Sequence, residues 1–74
     1  MEKLRTIVAD VLCVDIDRVD ENLTRDNCEE WDSFNHLLIV SEIESKLNVK
    51  LTMKEMESAD SYKVLEQIVM RKAE

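Results

Sequence analysis

The residues Asp32, Ser33 and Phe34 are the part of this chain whose types and spacing are best suited to chemistry. Asp and Ser are both preferred at helix N-termini, and apolar residues at helical spacing begin directly after them, at Phe34 and Leu37. A serine at this place is exposed at the positive end of the helix dipole, beside free backbone N–H groups that stabilise a phosphate. No histidine or lysine base is spaced around Ser33 so as to activate it as a nucleophile. The sequence therefore predicts a serine that is modified rather than catalytic.

The composition predicts one small domain, residues 1–74, with an acidic surface. A chain of 74 residues can bury only a small core. Its 17 acidic residues against 10 basic ones give a net charge of −7. That balance favours basic protein partners and argues against nucleic-acid binding, which requires the opposite sign. We expect a monomer.

The two cysteines and the apolar runs predict a location in the cell. Cys13 and Cys28 form no CxxC pair and indicate no disulfide framework, so a reducing cytoplasm is the simpler interpretation. The start of the chain lacks the apolar segment of a signal peptide. The longest apolar run, residues 37–40, is far too short to span a membrane.

The apolar spacing predicts two longer helices in the first two thirds of the chain. One runs over about residues 2–14, with one apolar face. That face consists of Leu4, Ile7, Val8, Val11 and Leu12. The other runs over residues 33–47 and ends at Asn48, which accepts a left-handed backbone almost as glycine does. Its core-facing residues are Ile39, Val40, Ile43 and Leu47.

The remaining segments predict a long ordered loop, a short helix and a last helix. The polar loop, residues 15–30, is pinned to the helices by its three apolar residues, which are Ile16, Val19 and Leu23. Thr52 and Glu55 form a capping box that starts a short helix over about 53–58. Asp60 then caps the last helix. The buried stripe of that helix is Val64, Leu65, Ile68 and Val69. The fold class is all-α: three longer helices plus a short one around a single core.

The chain resembles the acyl carrier protein family. The resemblance is carried by Trp31-Asp32-Ser33-Phe34, by the helix that follows, and by the length and charge of the chain. In that family the motif is usually Asp-Ser-Leu, and its serine carries 4′-phosphopantetheine. The resemblance implies that a phosphopantetheinyl transferase, with Mg²⁺ and coenzyme A, attaches this cofactor to Ser33. The thiol of the arm then holds acyl groups as thioesters for partner enzymes, and the protein itself catalyses nothing. It also implies that Asp32, besides capping the helix, contacts the transferase and its metal ion.

The resemblance further implies a partner-binding face beside Ser33. We assign to it Phe34, Asn35, Leu38, Ser41 and Glu44. Fatty-acid carriers usually present several carboxylates on this face, whereas Asn35, Leu38 and Ser41 are uncharged here. Leu38 either packs under the preceding loop or is exposed. If it is exposed, we expect a dedicated partner rather than bulk fatty-acid synthesis.

The resemblance also suggests a pocket for the acyl chain beneath the second long helix. We assign to it Ile43, Leu51, Met56 and Ala59. Ordinary core packing is the alternative, because methionine fills irregular gaps.

Three further features near the motif have ordinary explanations. Trp31 either packs onto the loop or contacts a partner. His36 lacks companions at metal-ligand spacing, so we expect it on the surface or at a partner contact. The acidic run 15–21 has Val19 at its fifth position and no glycine at its sixth, so it does not predict a calcium loop. We expect no metal site.

Two alternatives to an acyl carrier remain open. Aminoacyl carriers, such as the D-alanyl or peptidyl carriers, share the implied fold and sometimes show Asp-Ser-Phe. In the other alternative Ser33 is an ordinary helix N-cap that is never modified, and the chain is a helical protein-interaction module.

Overall fold

The computed structural model describes residues 2–73, and the chain over that range is a bundle of α-helices. The elements are α1 (Glu2–Leu12), a 3₁₀ turn (Ile16–Arg18), α2 (Ser33–Leu47), α3 (Met53–Ser58) and α4 (Tyr62–Ala73). Within residues 2–73 there is no β-strand, and one isolated antiparallel bridge joins Thr24 to Ser61. The predicted all-α class, with three longer helices and one short one, is confirmed.

One apolar core lies between α1, α2, α4 and the long loop. Its largest fully buried side chains are Leu4, Val8, Leu12, Val19, Cys28, Trp31, Ile39, Ile43, Leu65 and Val69. The predicted core faces of all three longer helices are therefore confirmed, with Val11, Leu47 and Val64 partly buried at the edge of the core. None of the helices within residues 2–73 is long and apolar enough to cross a membrane.

The long loop is held by backbone contacts as well as by apolar side chains. The Arg5 guanidinium of α1 donates hydrogen bonds to the carbonyl oxygens of Val19, at 2.9 Å, and Ile16, at 3.1 Å. The side chains of Val19 and Leu23 are buried as predicted. The prediction that the Ile16 side chain pins the loop is wrong, because that side chain is exposed and its carbonyl oxygen makes the contact instead.

Helix α1 ends earlier than predicted, because Cys13 adopts a left-handed backbone with φ 57°. The N–H of Val14 donates to the Ala9 carbonyl at 3.1 Å, and the N–H of Cys13 donates to the Asp10 carbonyl at 3.4 Å. These two bonds form the Schellman motif that closes a helix C-terminus. Glycine is the usual residue at this position, so the sequence carried no stop signal. Asn48 ends α2 with φ 55°, as predicted.

The prediction that Asp60 caps α4 is wrong by one residue. The N–H of Val64 donates to the Ser61 hydroxyl at 3.2 Å, so Ser61 is the capping residue. Asp60 lies one residue outside the helix, where its carbonyl oxygen accepts a hydrogen bond from the Arg25 N–H at 3.0 Å. That bond ties the long loop to the start of α4.

Helix α3 is held by polar contacts, since none of its own residues is buried. The predicted capping box is present: the N–H of Glu55 donates to the Thr52 hydroxyl, and the N–H of Thr52 donates to the Glu55 carboxylate. Lys72 of α4 pairs with the same carboxylate at 2.8 Å. Hydrogen bonds from Lys72 and from Thr52 hold the pKa of Glu55 below its usual range. The N-terminal end of α3 is thereby attached to the C-terminal end of α4.

We predict that Cys13→Gly raises the free energy of unfolding by roughly 0.5–1 kcal/mol, because glycine adopts positive φ without a Cβ clash. Urea denaturation measures the change. Cys13→Ala is the matched control, since it removes the thiol and keeps the Cβ, and it should give no such gain. Equal stabilisation by both substitutions would contradict the backbone argument.

Candidate functional site

Ser33 is the first residue of α2 and is exposed, and the capping position before it belongs to Asp32. Asp32 has an extended backbone, and its carboxylate accepts a hydrogen bond from the Asn35 N–H at 2.8 Å. The alternative in which Ser33 itself caps the helix is therefore wrong. Among residues 2–73 we find no hydrogen bond made by the Ser33 hydroxyl. The hydroxyl is free to react, at the positive end of a 15-residue helix that stabilises a phosphate group.

The loop before Ser33 is fastened to α2 by Asn35. Its side-chain amide donates to the Glu30 carbonyl at 2.7 Å. Glu30 also forms a 3.8 Å ion pair with Arg18. Its pKa is lowered, first by a hydrogen bond from its own backbone N–H and then by the Cys28 thiol. A charged carboxylate therefore lies in the approach to the serine.

Cys28 is buried beside this carboxylate, and its thiol donates to Glu30 at 3.4 Å. Burial, and then the Glu30 hydrogen bond, raise the pKa of Cys28. The thiol thus stays protonated at neutral pH and is a poor nucleophile.

The face of α2 beside Ser33 is exposed and apolar. Phe34 is 69% exposed and Leu38 40% exposed, so Leu38 is not packed under the loop. Leu37 is 55% exposed and also belongs to this surface, although the partner face predicted from the sequence does not include it. The sequence feature that could have indicated an exposed Leu37 is the apolar run from 37 to 40. Four consecutive apolar residues are more than one buried face of a helix requires. Ser41 continues the exposed face one turn later.

Glu44, at the far end of the predicted partner face, has a role within the fold. Its carboxylate accepts a hydrogen bond from the Leu51 N–H at 2.9 Å, in a half-buried position. It therefore holds the loop between α2 and α3. Asn35 has a comparable internal bond, so the freely exposed part of the predicted face consists of Phe34, Leu38 and Ser41, and Leu37 adds to it.

Trp31 and His36 form a buried polar contact directly beside Ser33. Trp31 is 2% exposed and packs in the core, which is the first of its two predicted placements. The prediction of a surface His36 is wrong, because its side chain is only 6% exposed. The ring is buried because both of its nitrogens have partners: Trp31 Nε1–H donates to Nδ1 at 3.0 Å, and Nε2 lies 2.8 Å from the Met56 carbonyl oxygen. This histidine joins the loop, α2 and α3.

Of the four residues assigned to the acyl pocket, Ile43 lies in α2, Leu51 in the loop before α3, Met56 in α3 and Ala59 directly after α3. Ile43 and Ala59 are fully buried, whereas Leu51 and Met56 are partly exposed. Two open cavities, of about 340 and 220 Å³, lie elsewhere. The larger lies between α1 and the end of α2, lined by Glu2, Lys3, Thr6, Ile7, Lys46 and Leu47.

Within residues 2–73 no group of three histidine, cysteine or carboxylate side chains is placed to hold a metal ion. The acidic run after α1 forms the 3₁₀ turn and the loop that Arg5 fastens.

An all-α bundle with a free, exposed serine at the start of its longest described helix is the arrangement of a carrier domain. A family model described as the phosphopantetheine attachment site matches residues 2–69. The chain belongs to this family, whose members are non-enzymatic carriers to which 4′-phosphopantetheine is attached covalently. Carriers of this kind interact with a phosphopantetheinyl transferase and with acyl-handling enzymes. A search of curated proteins gives no match to the chain.

We predict that Trp31→Phe costs about 1–3 kcal/mol of stability beyond the lost packing, because it leaves the buried Nδ1 of His36 without a donor. The measurement is a double-mutant cycle by urea denaturation, with Trp31→Phe made also in a His36→Leu background. That background has no acceptor to leave unpaired, so the same substitution should cost less there. Equal costs in the two backgrounds would contradict the hydrogen bond.

Proposed function

We propose that this chain is an acyl carrier whose 4′-phosphopantetheine arm is attached to Ser33. The observation that carries the proposal is the exposed Ser33 hydroxyl at the first position of α2, with the cap supplied by Asp32. The hydroxyl is therefore available without loss of the helix cap. Backbone N–H groups at this end of α2 favour the negative charge that a phosphodiester brings.

Attachment requires a separate transferase with Mg²⁺ and coenzyme A. The Ser33 oxygen forms a bond to the phosphate that bears pantetheine, the nucleotide half of coenzyme A leaves, and the serine proton is released. The arm supplies a thiol that holds an acyl group as a thioester. The residues of this chain position the serine: Asp32 caps the helix, and Asn35 fastens the loop that precedes it. We also propose that the Asp32 carboxylate contacts the transferase and its metal ion.

We propose that the partners are enzymes of a dedicated pathway rather than of bulk fatty-acid synthesis. The support is the exposed apolar surface of Phe34, Leu37 and Leu38, which lies where fatty-acid carriers usually present carboxylates. The net charge of −7 still favours fast docking to basic partners. We place the protein in the cytoplasm, where the free thiols Cys13 and Cys28 would stay reduced.

We further propose that an acyl chain shelters between α2 and α3. Ile43 and Ala59 would form the walls, and Leu51 and Met56 would lie at the edge. Support comes from α3 itself, which contains no buried residue and is therefore the helix most easily displaced.

An aminoacyl carrier is the second candidate. Phe34 favours it, because Asp-Ser-Phe replaces the usual Asp-Ser-Leu and the phenyl ring is 69% exposed beside the arm. The enzyme that loads the arm distinguishes the two: an amino-acid adenylating enzyme for this candidate, or an acyl-ligase or acyltransferase for the first.

We predict that the purified protein gains the mass of one phosphopantetheine when incubated with coenzyme A, Mg²⁺ and a broad-specificity transferase. Ser33→Ala should gain nothing, because it lacks the accepting oxygen. Ser41→Ala is the matched control, since it removes an exposed serine of the same helix, and it should be modified like the parent. Modification of Ser33→Ala, or none of the folded parent, would contradict the proposal.

We predict that Leu38→Glu, in the modified protein, speeds acyl transfer from a fatty-acid synthase acyltransferase by roughly tenfold, an effect of about 1.4 kcal/mol on the activation free energy. The added carboxylate restores the charge that such enzymes bind, and the exposed position tolerates it. Lys50→Glu is the control, since it adds negative charge at an exposed position outside α2. If the fatty-acid synthase acyltransferase accepts the parent protein at full rate, the proposal of a dedicated partner is contradicted.

A further inference from the structure

Nearly all of the net charge of this protein lies in the segment that joins α1 to α2, residues 13–32. This joining segment has eight acidic residues against two basic ones, a net charge of −6. The rest of the chain has nine acidic and eight basic residues, which leaves a net charge of −1. The negative electrostatic potential of the protein is therefore concentrated directly before Ser33.

Most carboxylates of the joining segment have no partner within the protein. Three are engaged: Glu30 pairs with Arg18, and Asp32 caps α2. The third, Asp20, accepts a hydrogen bond from the Asn22 N–H at 2.9 Å. The other five are exposed, and within residues 2–73 no ion pair or side-chain hydrogen bond engages them; they are Asp15, Asp17, Glu21, Asp26 and Glu29. Their charge is available to a binding partner.

Helix α2, in contrast, offers a partner little free negative charge. Its two acidic residues are both used within the fold: Glu42 forms a 3.1 Å ion pair with Lys46, and Glu44 accepts the Leu51 N–H. The first eight residues of the helix contain neither a carboxylate nor a lysine or arginine. The charge and the apolar surface near Ser33 therefore lie on different elements.

These two surfaces meet at Ser33. The exposed apolar face of α2 consists of Phe34, Leu37 and Leu38. The Asn35 amide fastens this end of α2 to the Glu30 carbonyl oxygen, and the Glu30 carboxylate pairs with Arg18 at 3.8 Å. That ion pair brings the 3₁₀ turn, which includes Asp17, to the same approach. Ser33 thus lies at the boundary between an acidic surface and an apolar one.

We propose that the joining segment and the apolar face of α2 together form the docking surface for the phosphopantetheinyl transferase. The free carboxylates attract a basic part of the enzyme, and Phe34, Leu37 and Leu38 contact an apolar part. The partner that fits this surface has lysine or arginine side chains along one side of its active site and apolar side chains along the other. The inference rests on the proposed function, because the transferase must reach the Ser33 hydroxyl. Fatty-acid carriers usually present this charge on the helix itself, whereas here the joining segment supplies it.

The test measures kcat and KM for modification of the full-length protein by a broad-specificity phosphopantetheinyl transferase with coenzyme A and Mg²⁺. It is run at about 0.1 M and about 1 M NaCl, where exposed charges act over about 10 Å and about 3 Å. Asp17→Asn together with Glu29→Gln removes two free carboxylates and keeps the shape of both side chains. We expect kcat/KM to fall roughly fivefold at the lower salt concentration and less than about twofold at the higher one. The change should lie in KM, because Ser33 itself is untouched.

Leu37→Gln tests the apolar half of the docking surface. We expect kcat/KM to fall roughly fivefold at both salt concentrations, because burial of an apolar side chain is not screened by salt. The response to salt therefore distinguishes the loss of an apolar contact from the loss of charge.

The matched control is Glu2→Gln together with Glu42→Gln, which makes the same change in net charge. Glu2 borders the cavity at the far end of α2, beside Lys46 and Leu47, and Glu42 lies nine residues beyond Ser33. We expect this variant to keep kcat/KM within about twofold of the parent value. Urea denaturation checks that every variant is folded.

Three outcomes would overturn the docking surface. One is an equal loss in the Asp17/Glu29 variant and in the control, which would mean that net charge alone determines the rate. Another is a loss in the Asp17/Glu29 variant that persists at high salt, and the third is an unchanged KM for Leu37→Gln. In all three the parent is still modified, so the proposed function stands. A folded parent that is never modified would overturn both proposals.

Discussion

The hydrogen bonds that join the buried His36 ring to the Trp31 indole, which donates to it, and to the Met56 carbonyl oxygen are the contacts on which the functional end of this protein depends. Trp31 fills the core immediately before Ser33, and Met56 lies in a helix with no buried residue of its own. This one ring therefore fixes both the serine-bearing turn and α3. The dependence is strong because buried polar groups cost roughly 1–3 kcal/mol when they lose a partner.

The second constraint on the fold is the absence of glycine and proline. Left-handed backbone positions are taken by Cys13 and Asn48, and the long loop is ordered by hydrogen bonds instead of rigid turn residues. Arg5 supplies two of those bonds, and Asn35 supplies another at the approach to Ser33. Asn35 therefore holds the loop instead of being free to contact a partner protein. Glu44 does the same, because its carboxylate accepts a hydrogen bond from the Leu51 N–H. The exposed face of α2 beside the serine therefore consists mainly of Phe34, Leu37 and Leu38. This surface is apolar although the protein as a whole is acidic.

Sequence patterns predicted the fold wherever the physics is local. The capping box of α3 and the left-handed Asn48 follow from residue types a few positions apart, and the helix faces follow from spacing. The errors concern contacts between distant segments. The sequence does not predict that His36 is buried. Its partner Met56 lies 20 residues away and offers a backbone oxygen, and no residue pattern reveals such a contact. Ile16 and Asp60 likewise act through carbonyl oxygens, and Cys13 ends a helix without the usual glycine. At the site, the serine and its exposure could be predicted, whereas the tie from Asn35 to Glu30 could not.

The function proposed for this protein depends on Ser33 being the residue that carries the arm. Cleavage after Arg25 and Lys46 yields a peptide, residues 26–46, that contains Ser33 together with Ser41 and Ser45. Fragment-ion mass spectrometry of this peptide, from protein produced together with a phosphopantetheinyl transferase, locates the modification directly. We predict that the added mass lies on Ser33 and that Ser41 and Ser45 are unmodified. A modification on either of the other two serines, or an unmodified peptide despite an active transferase, would contradict it.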